Sequence, residues 1–310
     1  MEIYLMRARY LCFVSILMVS LFSPNENLRA QNQPPIMAFA LSPDGRYLAV
    51  SYYDQPRTVE IIETQTKKIV WSYSLQNAIN PKPVWSPNSQ YIALFDFNSI
   101  EVVETTTGEE IKGFQNERDN YVFAVSWNPD SKFIAIATSS GIGLAEETYI
   151  KIWDVKKVEL VKSILEGLVE PSGMTWSPDG AYLAISGFER PTFVLTVETG
   201  NNDLHLENGY ASSTDWHPDN KRIATGELEG QACIWDAQSG ELLNAFETGY
   251  DIYAHAKWSP DGTKLLVALE ENWPAWVWYV AENRALLLEG FTSNGVLQVW
   301  SADSTQLVYE

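Results

Sequence analysis

Two cysteines, three histidines and five methionines are all that 310 residues hold of the side chains most used in disulfides, metal sites and flexible helical cores. Cys12 lies in an N-terminal apolar run and Cys233 within Ala232-Cys233-Ile234-Trp235, so an internal disulfide is not expected, and Cys233 reads as a small buried hydrophobe. His205, His217 and His255 follow no metal-ligand spacing. GxSxG, HExxH, a phosphate-cradling glycine loop and DxDxDG are all missing, which leaves nucleophilic, zinc, nucleotide and calcium chemistry without a sequence handle. No cofactor and no metal is expected. Positive charge is scarce too: 21 Lys and Arg face 40 Asp and Glu, a formal net charge of −19. The basic residues stand singly or in pairs, so nucleic acid would meet repulsion and is not an expected partner.

What is present is apolar and aromatic. Hydrophobic residues make up 45%, with 12 Trp, 15 Tyr and 12 Phe, enough for a large core and weighted toward β-structure. Residues 1–30 differ from the rest. Arg7 and Arg9 precede an apolar run at 10–22, followed by a polar stretch ending in Leu28-Arg29-Ala30. This reads as a signal peptide, removed to leave residues 31–310 outside the cytoplasm, secreted or periplasmic, with no membrane contact after cleavage. The alternative is an uncleaved anchor at 10–22, although that run is shorter than the ~20 residues of a stable span.

The organising signal is an internal repeat. LSPDG, WSPNS, WNPDS, WSPDG, WHPDN, WSPDG and WSADS begin at Leu41, Trp85, Trp127, Trp176, Trp216, Trp258 and Trp300, spaced by 44, 42, 49, 40, 42 and 42 residues. In each tetrad Pro presets one backbone angle and Gly, Asn or Asp tolerates the left-handed conformation that follows, a turn between two apolar runs. Residues 36–41 and 47–51 then form a hairpin, as do 173–176 and 182–186. About twenty residues after each turn comes a third strand core: VEIIE, IEVVE, IKIWD, FVLTV, ACIWD and WVWYV. Fourth strands follow, among them 69–73, 160–164 and 242–246. Four short strands per unit of about 42 residues make one blade.

With these residues in place the chain resembles the WD-repeat β-propeller family. Trp153-Asp154 and Trp235-Asp236 stand at that family's signature dipeptide, and the SPDG hairpins match its inner strand pair. The resemblance covers residues 36–310 and implies an all-β propeller of four-stranded antiparallel blades, six complete and a partial seventh, with repeats beginning near 36, 80, 122, 171, 211, 253 and 295. The family's Gly-His dipeptide is absent, which implies blades held mainly by apolar packing, with Trp85, Trp127, Trp176, Trp216 and Trp258 between neighbouring sheets. The seventh repeat stops after 307–309, so the chain reads as a fragment of a longer protein, the alternative being a ring that is open or closes on a partial blade.

Partners in the resembled family commonly dock on the loops leading into the inner strands. Counting back from the turns places Tyr121, Glu170, Tyr210, Asp251 and Tyr253 on that rim, where they either contact a partner or plug the channel mouth. Two links between second and third strands are long, at 139–148 and 270–274, and the second carries Trp273, a further candidate contact. The expected function is an exported, non-enzymatic scaffold for a protein or peptide, with a glycan as a further possibility. The competing readings are a hydrolase or lyase whose site would gather Glu170, Asp251 and Asn294 at the channel mouth, and a docking domain of a longer secreted chain.

Overall fold

The computed structural model describes residues 36–308, apart from 54–56, 76–80, 98, 112–120, 140–146, 168–170, 188–190, 207–210, 270–273, 289–298, 302 and 306. The expected signal peptide and the fourth-strand region of the second repeat therefore lie outside the described residues. All strands pair antiparallel with their sequence neighbours, in seven sheets that follow chain order. The first sheet comprises Ile36–Leu41, Tyr47–Tyr52, Arg57–Glu63 and Ile69–Leu75. The third, fourth, fifth and sixth sheets repeat this four-stranded plan. The second shows Lys82–Trp85, Tyr91–Phe95 and Ile100–Glu104, with Glu110 bridging back to Val103. The seventh shows Val299–Trp300 paired with Leu307–Val308. This is the all-β, repeated-sheet architecture of a propeller, with two single-turn 3₁₀ segments, Leu228–Gly230 and Val280–Glu282.

Burial follows position in the sheet. Every residue of Tyr47–Tyr52 is buried, as this strand is paired on both edges and packs against the second sheet. The outer strand Ile69–Leu75 alternates half-buried and exposed instead, as expected where one face meets solvent. Inner strands of consecutive sheets pack on one another along the chain, from Ile36–Leu41 to Lys82–Trp85 and onward to Ala254–Trp258.

The SPDG tetrads fold as expected. Gly45 N–H donates to Ser42 O at 2.8 Å, the Ser42 hydroxyl donates to Asp44 Oδ1 at 2.6 Å, and Gly45 takes φ +72°. Where the tetrad ends in another residue the left-handed conformation is kept, as at Ser89, Ser131, Asn220 and Ser304. Their side chains have a second use. Ser89 Oγ accepts the Asp44 N–H at 3.1 Å, Ser131 Oγ the Asn88 N–H at 3.0 Å, Asn220 Oδ1 the Asp179 N–H at 3.3 Å, and Ser304 Oγ the Asp261 N–H at 2.9 Å. Successive sheets are therefore tied turn to turn, and apolar packing alone does not hold them, which amends the sequence expectation.

The inner-strand tryptophans add polar ties of their own. The indole N–H groups of Trp85, Trp127, Trp176 and Trp300 donate to Ala40 O, Val84 O, Ser126 O and Lys257 O of the preceding sheets, at 2.9 to 3.1 Å. Trp216 and Trp258 occupy the equivalent positions, yet their buried Nε1 atoms find no acceptor among the described residues. A buried amide-type hydrogen bond contributes on the order of 1 kcal/mol, whereas a buried donor left without an acceptor costs about 1–3 kcal/mol of desolvation. Trp127→Phe, which loses such a bond, should accordingly destabilise the protein by about 2 kcal/mol or more beyond Trp216→Phe, which removes an orphan donor, read as the difference in urea midpoints at equal slope.

Candidate functional site

Antiparallel up-and-down strands put the loops into the inner strands and the links from second to third strands at one end of every sheet. The SPDG turns lie at the other end. Tyr121 opens the third sheet's inner strand, Tyr121–Trp127, and is half-buried. Its ring packs obliquely on Phe97, with centroids 4.6 Å apart. Phe97, exposed in the second-to-third link of the second sheet, also meets Phe123 edge-on at 5.3 Å, and its carbonyl accepts the Val122 N–H at 3.0 Å. The result is an aromatic cluster bridging two sheets at the loop end.

A second cluster forms where the fifth sheet hands over to the sixth. Asp251, exposed, and Tyr253, half-buried, precede Ala254–Trp258. Tyr250, also exposed, lies 5.9 Å from Trp276, which in turn meets Phe246 at 6.1 Å. The two sheets approach closely here: a Cβ on Gly226 would fall 2.0 Å from Ala254 O, so no other residue fits. Tyr53, at the corresponding link of the first sheet, is exposed with the Arg57 guanidinium 5.4 Å from its ring centroid.

Of the residues singled out by sequence, Tyr121, Asp251 and Tyr253 stand at this rim, whereas Glu170, Tyr210, Trp273 and Asn294 lie outside the described residues. Sequence reasoning missed Phe97, Phe123, Tyr250 and Tyr53. An aromatic just past each second-strand core, at Tyr53 and Phe97, was the signal available for two of them.

Behind the rim sits a carboxyl group that sequence did not flag. Glu227 ends the strand Arg222–Glu227 and is 5% exposed. The Thr225 hydroxyl donates to its Oε1, while Trp235 Nε1–H donates to Thr225 Oγ1 at 2.8 Å. Oε2 has no partner among the described residues. Burial pushes its pKa up to about 7, with the Thr225 bond working in the other direction. Burial, reinforced by Glu227 and Glu247, pushes the Cys233 thiol up to about 12, so this buried cysteine is not a nucleophile near neutral pH. Among the described residues no group of three His, Cys, Asp or Glu side chains could hold a metal ion. His205, His217 and His255 stand on an outer strand, an SPDG-type turn and an inner strand respectively.

Among the described residues, seven consecutive antiparallel sheets recur at a period near 42 residues, joined by turn, by tryptophan or by both. A family model described as WD domain, G-beta repeat, matches residues 203–236. This match, together with the WD-repeat relatives, supports a WD-repeat family for the chain. A second model, described as eukaryotic translation initiation factor eIF2A, matches residues 14–170, just over half of the chain, and by that extent the chain belongs to this family. WD repeat-containing protein 1 of Gallus gallus is 24% identical over 278 residues, 84% of this chain and 42% of its own length. The Mus musculus protein of the same name is 26% identical over 198 residues, 59% of this chain and 31% of its own. An uncharacterized WD repeat-containing protein, sll1491, of Synechocystis is 26% identical over 148 residues, 47% of this chain and 39% of its own. The chain thus spans less than half the length of these relatives.

The buried carboxyl makes stability depend on pH. Glu227 keeps its proton in the folded chain up to about pH 7, but releases it near 4.5 once unfolded, so the folded state binds more protons between these values. Its contribution is full below about pH 4.5 and is lost as pH rises toward 7, a change on the order of 3 kcal/mol. Glu227→Gln should remove that part of the slope, leaving the variant more stable than the parent at pH 8 and no more stable at pH 4.5, as read by denaturant unfolding at each pH.

Proposed function

We propose that this chain is an exported, non-enzymatic scaffold that holds a protein or peptide partner against the loop end of its sheets. The observation that supports this reading is the concentration of exposed and half-buried aromatic side chains there: Tyr53, Phe97, Tyr121 and Phe123 over the first three sheets, and Tyr250 and Tyr253 beside Asp251. Tyr and Phe present large rigid faces at small entropic cost, which is why aromatic side chains recur among the residues that dominate binding energy. Packing of Phe97 on Tyr121 and Phe123 preorganises that face before any partner arrives. The rim's one described acidic candidate, Asp251, together with the net charge of −19, favours a partner with a basic contact surface. Export rests on residues 1–30; N-terminal sequencing of the protein recovered from outside the cytoplasm should begin at or near Gln31, and recovery in the membrane with an intact N-terminus would favour the anchor instead.

The scaffold reading is tested by capture. Protein immobilised from its natural extract should retain a partner that Phe97→Ser combined with Tyr121→Ala releases, while thermal unfolding of the variant stays cooperative. Truncating a hot-spot aromatic costs about 2 kcal/mol or more, a loss of roughly thirtyfold in affinity. Retention unchanged in that variant and in Tyr250→Ala/Tyr253→Ala would mean that the partner docks elsewhere.

A further inference from the structure

The turn-to-turn ties leave two junctions differently built. Between the fifth and sixth turns the receiving position is Gly262, and the His217 ring takes the missing side chain's place: a Cβ on Gly262 would lie 2.3 Å from His217 Nε2, which sits 2.9 Å from Gly262 O. Between the third and fourth turns the receiving position is again a glycine, Gly180, but the residue facing it is Asn128, shorter than histidine. The Asp130 N–H has no side chain to reach across the junction and donates to Asn128 Oδ1 of its own turn, at 3.2 Å.

A cleft of about 280 Å³ opens at this junction. Phe133, Ile152, Trp176 and Val197 supply its apolar lining, Val161 forms a 54% exposed wall, and Asp130 and Asp179 stand among its polar lining residues. Lys162 also lines it, but its ammonium donates to Val197 O at 2.7 Å and Glu198 O at 2.5 Å. Lys132, outside the lining, lies over the Phe133 ring at 4.6 Å. Asp179 is held ionised: burial opposes this, but the Ser177 hydroxyl, the Ala181 N–H and the Asn220 amide outweigh it. Asp130 Oδ1 accepts the Lys132 N–H at 2.8 Å, which leaves its other carboxylate oxygen for a ligand.

We propose that this cleft is a binding site for one arginine or lysine side chain of a partner protein, its aliphatic stem on Trp176, Phe133 and Val161 and its cationic head between Asp130 and Asp179. The volume is at the small end for ligand pockets and suits a single long side chain better than a cofactor. The site lies at the turn end of the sheets, so it is independent of the loop rim.

The test uses the full chain and hexylguanidinium as the probe, with hexanol and hexyl sulfate as controls, followed by the amide signal of Gly180 and the indole N–H signal of Trp176. Hexylguanidinium should shift both saturably, with a dissociation constant in the millimolar range or below, about 4 kcal/mol. Asp130→Asn should weaken it several-fold, and Val161→Arg, which tethers a guanidinium at the exposed wall, should abolish the response while leaving the fold's other signals in place. No saturable shift would overturn the proposal. So would hexanol acting as strongly as hexylguanidinium, which would make the cleft a mere apolar crevice, or a preference for hexyl sulfate, which would show that the two lysines set the sign of the site.

Discussion

A four-stranded sheet of this size cannot bury both of its faces by itself, and every second strand here is apolar on both. The structure depends on the contact that answers this constraint: an inner-strand tryptophan inserted between sheets, its indole N–H returned to a carbonyl of the preceding sheet, as in Trp127 to Val84 O. The same residue introduces the SPDG turn, whose fourth side chain then reaches the turn of the preceding sheet. Two directional bonds at each such junction fix how far one sheet rotates on the next, something apolar burial alone leaves loose. Rigid spacing of sheets is also what gives the loops a defined arrangement, so the proposed binding surface would be a consequence of the junctions.

Much of the fold was legible because its elements repeat in phase. Four of the six third-strand cores fall wholly within observed strands, VEIIE inside Arg57–Glu63 and IKIWD inside Thr148–Asp154 among them, and FVLTV and WVWYV overrun theirs by one residue each, Val197 and Val280, since period-2 burial and a fixed distance from the turn constrain them together. The cross-sheet bonds were not legible. Ser89, Asn220 and Gly180 look equivalent to a reader of turns, as each tolerates positive φ, yet only the first two carry an atom that reaches the neighbouring sheet. The rim was legible in part. Tyr121 stands six residues before its turn tryptophan and Tyr253 beside the equivalent position, whereas Phe97 sits in a link whose length varies from sheet to sheet. Glu227 was invisible for a different reason: Glu-Leu-Glu-Gly reads as a solvated acidic loop, and its burial comes from the close approach of the sixth sheet at Gly226, a contact between residues 28 apart in sequence.

Departures from the repeat are where chemistry collects. Glu227 puts a carboxyl where the surrounding sheets are apolar, and its cost rises with pH because the folded chain holds a proton that the unfolded chain gives up. The same surroundings suppress the Cys233 thiol. The Cys233 thiol therefore offers no nucleophile near neutral pH, and both groups act on stability.

Charge and shape divide the two ends of the sheets between different tasks. At the loop end, aromatic faces are already packed on one another, so a partner meets a surface whose side chains have little freedom left to lose, and most of the contact area can be returned as affinity. At the turn end, carboxylates are locked by their own and neighbouring turns, as Asp179 is by Ser177 and Ala181 and by Asn220 of the next turn, and a locked carboxylate attracts a cation without the cost of being ordered. A partner long enough to touch both ends would gain from each contact through effective concentration, while a partner confined to one would leave the other end's variants without effect. The stacked sheets, held by turn and tryptophan, keep the two ends at a fixed separation, so any such partner must match that length as well as the chemistry.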